Sequence, residues 1–164
     1  MIKIETAIRA LTANNVEFVI VGGIAVRIHS SAYVTFDLDF CYLRTNENLR
    51  RIVTALAPFK PRPRDFPENL PFVFDERTLQ NGTNFTFKTK IGDIDLLGEV
   101  AGLGNYKEVE SESETKHLFG CDVKILSLEG LIKAKRSAGR AKDLLVLPEL
   151  EALREALTDD DDDD

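Results

Sequence analysis

The sequence predicts an α/β (α+β) chain, because two hydrophobic periodicities take turns along it. Ile4, Ala7, Ile8 and Leu11, and later Leu49, Ile52, Val53 and Leu56, repeat at helical spacing. Between and after them come short apolar or alternating runs at 18–21, 35–42, 85–90, 93–97 and 121–126, several bounded by glycine, which read as strands. Two of these runs carry an Asp-x-Asp pair, Asp37/Asp39 and Asp93/Asp95. At 164 residues the chain is sized for one domain with a real core. The expected organisation is a single domain over 1–157, followed by a disordered acidic tail over 158–164.

Taken in order, 2–14 is an amphipathic helix stopped at Asn14-Asn15. The apolar run 18–21 suits a buried strand, and Gly22-Gly23 opens a second helix through about Ile28. Residues 35–42 form the next strand and 46–57 the next helix, which ends at Pro58. The stretch 58–71 holds five of the six prolines together with Lys60, Arg62 and Arg64, and reads as an extended surface connection. A hairpin is expected from 85–90 and 93–97, turning near Gly92. Three glycines mark 98–104 as a loop, and the polar stretch 106–119 has too weak a periodicity to place. Cys121–Leu126 is a strand. Ser127 then starts a helix whose core-facing stripe is Leu128, Leu131 and Ile132, with Lys135 at its edge. Ser137-Ala138-Gly139 breaks that helix, 140–143 makes a further turn, and Pro148 suits the first residue of a last one.

Composition excludes several classes. The formal charge is −7, but Asp159 to Asp164 account for six of those charges and removing them leaves −1. A near-neutral body is no general polyanion binder. Cys41 and Cys121 fit no zinc or redox spacing and read as reduced thiols in apolar surroundings. No apolar run approaches the roughly 20 residues of a membrane span, and the charged N-terminus lacks a signal-peptide core. A cytoplasmic protein with no membrane partner is expected.

The chemistry lies in the acidic strands. Side chains alternate along a strand, so Asp37 and Asp39 share one face while Phe36, Leu38 and Phe40 share the other. Two adjacent carboxylates in an apolar run repel each other and lose hydration, and a bound cation makes them tolerable. Three carboxylates on neighbouring strands can hold two divalent ions about 4 Å apart, the arrangement used for in-line displacement at phosphorus. Asp95 is the best third carboxylate, with Asp93 on the same strand face as the competing choice. Oxygen-only donors favour Mg2+ or Mn2+. Glycines between a strand and a helix let a phosphate approach free N–H groups, or simply make a tight turn. His29, on the helix after them, reads as a packed or capping residue.

The succession strand, Gly-Gly, helix, Thr-x-Asp-x-Asp resembles the signature of the DNA polymerase beta-type nucleotidyltransferases. Within that superfamily the chain is most similar to the small bacterial AbiEii-like group of toxin–antitoxin and phage-abortive systems. The matching stretches are VGGIAVRIHSSAYVTFDLDF, KIGDIDLLGEVAG and LEGLIKAKRSAGRAKDLLVLPEL, which together reach from the first strand to the last helix. The resemblance implies a mixed β-sheet flanked by helices, a nucleoside triphosphate donor and magnesium. It implies that Gly22 and Gly23 contact the triphosphate, that Asp37 and Asp39 bind the metals, and that Asp95 is the third carboxylate. Lys135, Lys142 and Asp143 match its basic helical motif, and Thr35 the threonine of its carboxylate motif. Many relatives have arginine where this chain has Tyr33, and Arg27, Arg136 and Arg140 are the candidates to compensate. Acceptors among relatives are tRNA 3′ ends, protein hydroxyls or small molecules, and a cognate antitoxin or toxin is a further implied partner. The alternative is a non-catalytic nucleotide-binding or antitoxin-like module of the same fold.

Overall fold

A computed structural model describes residues 1–29 and 37–162. Its centre is a seven-stranded mixed sheet with the order β3-β4-β5-β2-β1-β9-β8. The inner strands are β1 (Phe18–Val21), β2 (Asp37–Tyr42), β5 (Gly92–Leu97) and β9 (Cys121–Leu126). β1 runs antiparallel to β2 and parallel to β9, and β2 runs parallel to β5. The outer strands β3 (Arg62–Pro63), β4 (Asn84–Thr89) and β8 (Ser113–Leu118) are antiparallel to their neighbours. The expected mixed sheet flanked by helices is what forms.

All four residues of β1 are buried, as its unbroken apolar run requires. Helices α1 (Ile4–Ala13) and α3 (Asn46–Leu56) pack on each other, burying Ile8, Leu11, Leu49 and Ile52. Thr45 caps α3, its side chain accepting from the Asn48 N–H. Asn48 is itself buried and fully used. Its Oδ1 accepts from the Glu17 N–H at 2.7 Å, and its Nδ2 donates to the Glu17 and Leu43 carbonyls at 3.0 and 2.8 Å. It therefore ties the entry of β1 to the exit of β2.

Helix α2 (Gly22–His29) contacts β2 and α6 (Leu128–Ala138), and α6 packs on α7 (Ala141–Asp162). Ser127 caps α6, accepting from the Gly130 N–H at 3.1 Å, and Gly139 ends it in the left-handed conformation at φ 63°. Pro148 departs from expectation. It lies inside α7 rather than at the start of a new helix. Proline denies a helical donor to the carbonyl four residues back. That residue, Leu144, is 51% exposed, while Val146, Leu147 and Leu150 stay buried. The helix runs to Asp162.

The unplaced segments resolve into small elements. The proline-rich connection contains a 3-10 turn (Ala57–Phe59) and β3, and α4 (Glu76–Gln80) follows it. The glycine loop folds back as β6 (Glu99–Val100) on β7 (Gly104–Asn105). The polar stretch becomes α5 (Tyr106–Ser111), with an Asn105/Glu108 capping box, and the edge strand β8. Both cysteines are free. Among the described residues no helix is long and apolar enough to cross a membrane.

Candidate active site

Register builds the acidic face. β2 and β5 pair in parallel with Asp37 opposite Asp93, Leu38 opposite Ile94 and Asp39 opposite Asp95. The four carboxylates therefore form a two-by-two grid on one face, while Leu38, Phe40, Ile94 and Leu96 are fully buried. Those four apolar side chains hold the register, since a one-residue slip would exchange the faces. Side-chain exposure falls from 39% at Asp37 and Asp93 to 19% at Asp95, so the grid has an open and a closed end.

Asp39 belongs to the closed end. Its Oδ1 is buried without a hydrogen-bond partner. Its Oδ2 lies so close to Gly22 that a Cβ there would stand 2.2 Å away, and Gly22 has φ +67°. Glycine is thus required at 22 on two grounds, backbone conformation and the approach of this carboxylate. Burial above all, then the charge and hydrogen bond of Asp95 and the charge of Asp37, push the Asp39 carboxyl up to about 7, with Lys135 pulling it back. Asp95 is also raised, chiefly by burial.

Arg64 is the residue that sequence reasoning misplaced as a surface-loop cation. Its N–H donates to the Thr86 carbonyl at 3.0 Å, continuing the β3–β4 pairing. Its guanidinium then reaches over the grid. Nη2 pairs with Asp95 Oδ1, and Nη1 lies 3.3 Å from Asp93 Oδ2 and 3.7 Å from Asp37 Oδ2. The neighbouring Lys88 is taken by Glu68 at 2.8 Å.

A basic wall faces the acidic one. Asp143 is fully buried near the start of α7, where Lys135 Nζ donates to its Oδ1 at 3.0 Å and Arg140 Nε to its Oδ2 at 2.6 Å. Burial alone would raise the Asp143 carboxyl, but hydrogen bonds from Arg140 and Lys135 outweigh it and hold the group below its usual range. Between the walls lies a cleft of about 320 Å³, lined by Gly22, Gly23, Asp37 and Asp39 on one side and Lys135, Lys142 and Asp143 on the other. Arg140 lines it too, as does Asn84 from β4, which no motif had flagged.

The cleft thus gathers the residues singled out from sequence, with Asp95 set against Asp39 rather than in the lining. Thr35 and Tyr33 lie outside the described residues. Of the other candidate cations, Arg136 pairs with Glu151 and Arg27 is exposed. His29 is packed, its Nε2 bonding the Leu126 carbonyl at 3.1 Å. Among the described residues no three His, Cys, Asp or Glu side chains already converge as a metal-binding group. The donor chemistry nonetheless fits a hard divalent cation: oxygen only, clustered, with one buried oxygen unsatisfied.

No family model and no curated protein matches the chain. Solved structures do. A Thermotoga maritima protein provisionally classed as a nucleotidyltransferase is similar at TM-score 0.52 and 14% identity, covering 97% of this chain and 96% of its own. The antibiotic-resistance factor ANT(2″)-Ia is similar at TM-score 0.56 and 14% identity, covering 95% of this chain and 89% of its own. At that identity the likeness bears on architecture alone, and the chain has the nucleotidyltransferase fold.

Proposed function

We propose that the chain is a metal-dependent nucleotidyltransferase, moving a nucleoside monophosphate from a nucleoside triphosphate to a hydroxyl acceptor. One observation carries the reading: Asp39, with a buried and unpaired oxygen, faces the Lys135–Asp143–Arg140 cluster across a single cleft. One wall calls for cations and the other for anions, and a metal–triphosphate supplies both.

In this reading Asp37 and Asp39 hold the divalent ion, with Asp95 beside them as third carboxylate. Mg2+ or Mn2+ bound there would neutralise phosphate oxygens and lower the pKa of the acceptor hydroxyl. The N–H groups at the start of α2, freed by Gly22 and Gly23, donate to the triphosphate, as helix N-termini do to anions. Lys135 and Lys142 balance its remaining charge. The acceptor oxygen bonds the α-phosphorus, the bond from that phosphorus to the bridging oxygen breaks, and pyrophosphate leaves with the electron pair. Asp95 takes the acceptor's proton, a role suited to a carboxyl raised by burial. The acceptor is a tRNA 3′ end or a protein hydroxyl, in the setting of an AbiEii-like toxin–antitoxin pair.

The test is label transfer from each radioactive nucleoside triphosphate to bulk tRNA and to lysate protein with Mg2+ present, with Asp39→Asn as control. Wild type should label and the variant should not. Failure of wild type with all four triphosphates, with no divalent ion bound, would end the catalytic reading. A second reading, a non-catalytic nucleotide-binding or antitoxin-like module, draws support from Arg64, which already satisfies part of the acidic grid. It predicts nucleotide binding without transfer.

A further inference from the structure

The acidic grid holds four carboxylates where the chemistry above uses three, and it holds an arginine that chemistry does not use. The two surpluses meet. Asp93 lies 3.3 Å from Arg64 Nη1, and the other arm of the same guanidinium pairs with Asp95. We infer that Arg64 is a built-in cation occupying one of two cation positions on the grid, so that the chain takes one divalent ion where Asp37, Asp39 and Asp95 could otherwise share two. The inference rests on the metal-binding reading of Asp37 and Asp39.

Several observations support it independently of that reading. The guanidinium is placed by backbone rather than by a freely roaming side chain. Arg62 and Pro63 pair with Lys88 and Phe87, and the Arg64 N–H is fixed on Thr86. The next turn is closed by Arg62, whose Nη2 donates to the Pro67 and Leu70 carbonyls at 3.1 and 2.8 Å while its guanidinium lies over the Phe66 ring. Prolines at 61, 63 and 67 stiffen this path further. A planar fork also suits the position better than an ammonium would, since it bridges two carboxylates at once.

The grid is divided accordingly. Asp37 and Asp39 line the cleft with Lys135, whereas Arg64, Asp93 and Asp95 do not. The unpaired oxygen is Asp39 Oδ1, whereas the Arg64 guanidinium pairs with Asp95, Asp93 and Asp37. An ion arriving with a triphosphate therefore meets Asp37 and Asp39, and the other position, beside Asp95 and Asp93, is already filled. Asp93 and Asp95 then both tether Arg64.

Counting bound Mn2+ tests this without any assay of transfer. The full chain, saturated with a non-hydrolysable nucleoside triphosphate analogue, is titrated with Mn2+ and followed by calorimetry and by electron paramagnetic resonance. Wild type should bind one ion and Arg64→Ala two, with spin coupling between them. Arg64→Lys, which keeps the charge, should stay at one. Two ions in wild type, or one in Arg64→Ala, would overturn the inference. Should Arg64→Ala fail to fold, Arg64→Gln keeps the stem and carries the same expectation. Should neither wild type nor variant bind Mn2+, the divalent-ion reading of Asp37 and Asp39 falls, and this inference with it. The expected ion counts without label transfer would leave the inference standing and remove only the enzymatic assignment.

Discussion

Asp39, half-buried, and Asp143, fully buried, are acids on opposite walls of one cleft, and they have opposite electrostatics. Asp143 has two cations at hydrogen-bond distance and its carboxyl is lowered. Asp39 has carboxylates for neighbours, an unpaired oxygen, and a carboxyl raised to about 7. Burial acts upward on both, so the partners decide the outcome. One wall is finished as a folding unit; the other is complete only with a ligand.

The contrast is broken most sharply by neutralising each acid in turn. Asp39→Asn should reduce label transfer by at least about 10²-fold. In EDTA the same variant should melt no lower than wild type, because it removes an unpaired buried charge. Asp143→Ala should do the reverse to stability. It strands Lys135, whose side chain is 12% exposed, beside Arg140, and loss of one partner from a buried pair costs about 3–5 kcal/mol. Chemical unfolding should show that loss with or without Mg2+. If both variants shift stability in the same direction, the two walls are not different in kind.

The pH dependence of metal-free stability should separate the walls next. Asp39 moves from an ordinary 3.8 to about 7 on folding, so the native state binds its proton more tightly than the unfolded chain. Stability should therefore fall as pH rises from about 4 to about 7 and level off above that. Asp39→Asn should flatten this slope. Asp143, being lowered, contributes stability that is present above 3.8 and is lost only as pH falls through its own depressed value. Unfolding in EDTA at stepped pH distinguishes these windows.

Smaller effects follow. Gly22→Ala forces a Cβ to 2.2 Å from Asp39 Oδ2 at φ +67°, and should destabilise the chain by about 1–3 kcal/mol while lowering divalent affinity. An unchanged Mn2+ affinity would show that Asp39 and Gly22 are not coupled. Arg140→Ala should be mildest, at most about 1 kcal/mol, because Arg140 is 61% exposed and Lys135 still holds Asp143.

Much of the acidic wall was legible because strand alternation is a local rule. It put Asp37 with Asp39 and Asp93 with Asp95, and the apolar partners on the opposite face made those strands recognisable. Parallel pairing of the two strands then set the grid, which no single run reveals. Asp93 and Asp95 were indistinguishable by alternation; they differ through Arg64 and Asp39, neighbours brought in from other elements. Arg64 itself looked like any loop cation, because its contacts lie about 30 residues away in the chain. The stretch 106–119 escaped for a different reason. β8 is an edge strand whose middle residues are exposed on both faces, so it carries no hydrophobic period to read. Pro148 marked a helix start by preference, and tertiary burial of Val146, Leu147 and Leu150 overrode it.

The direct pairing of β2 with β5 has one more consequence. The carboxylates are aligned by hydrogen bonds between the two strands and not by residues 43–91, an excursion that folds as α3, β3, α4 and β4. It is also the excursion that carries Arg64 to the grid. The carboxylate grid and the cation that crosses it thus lie on separate stretches of one chain.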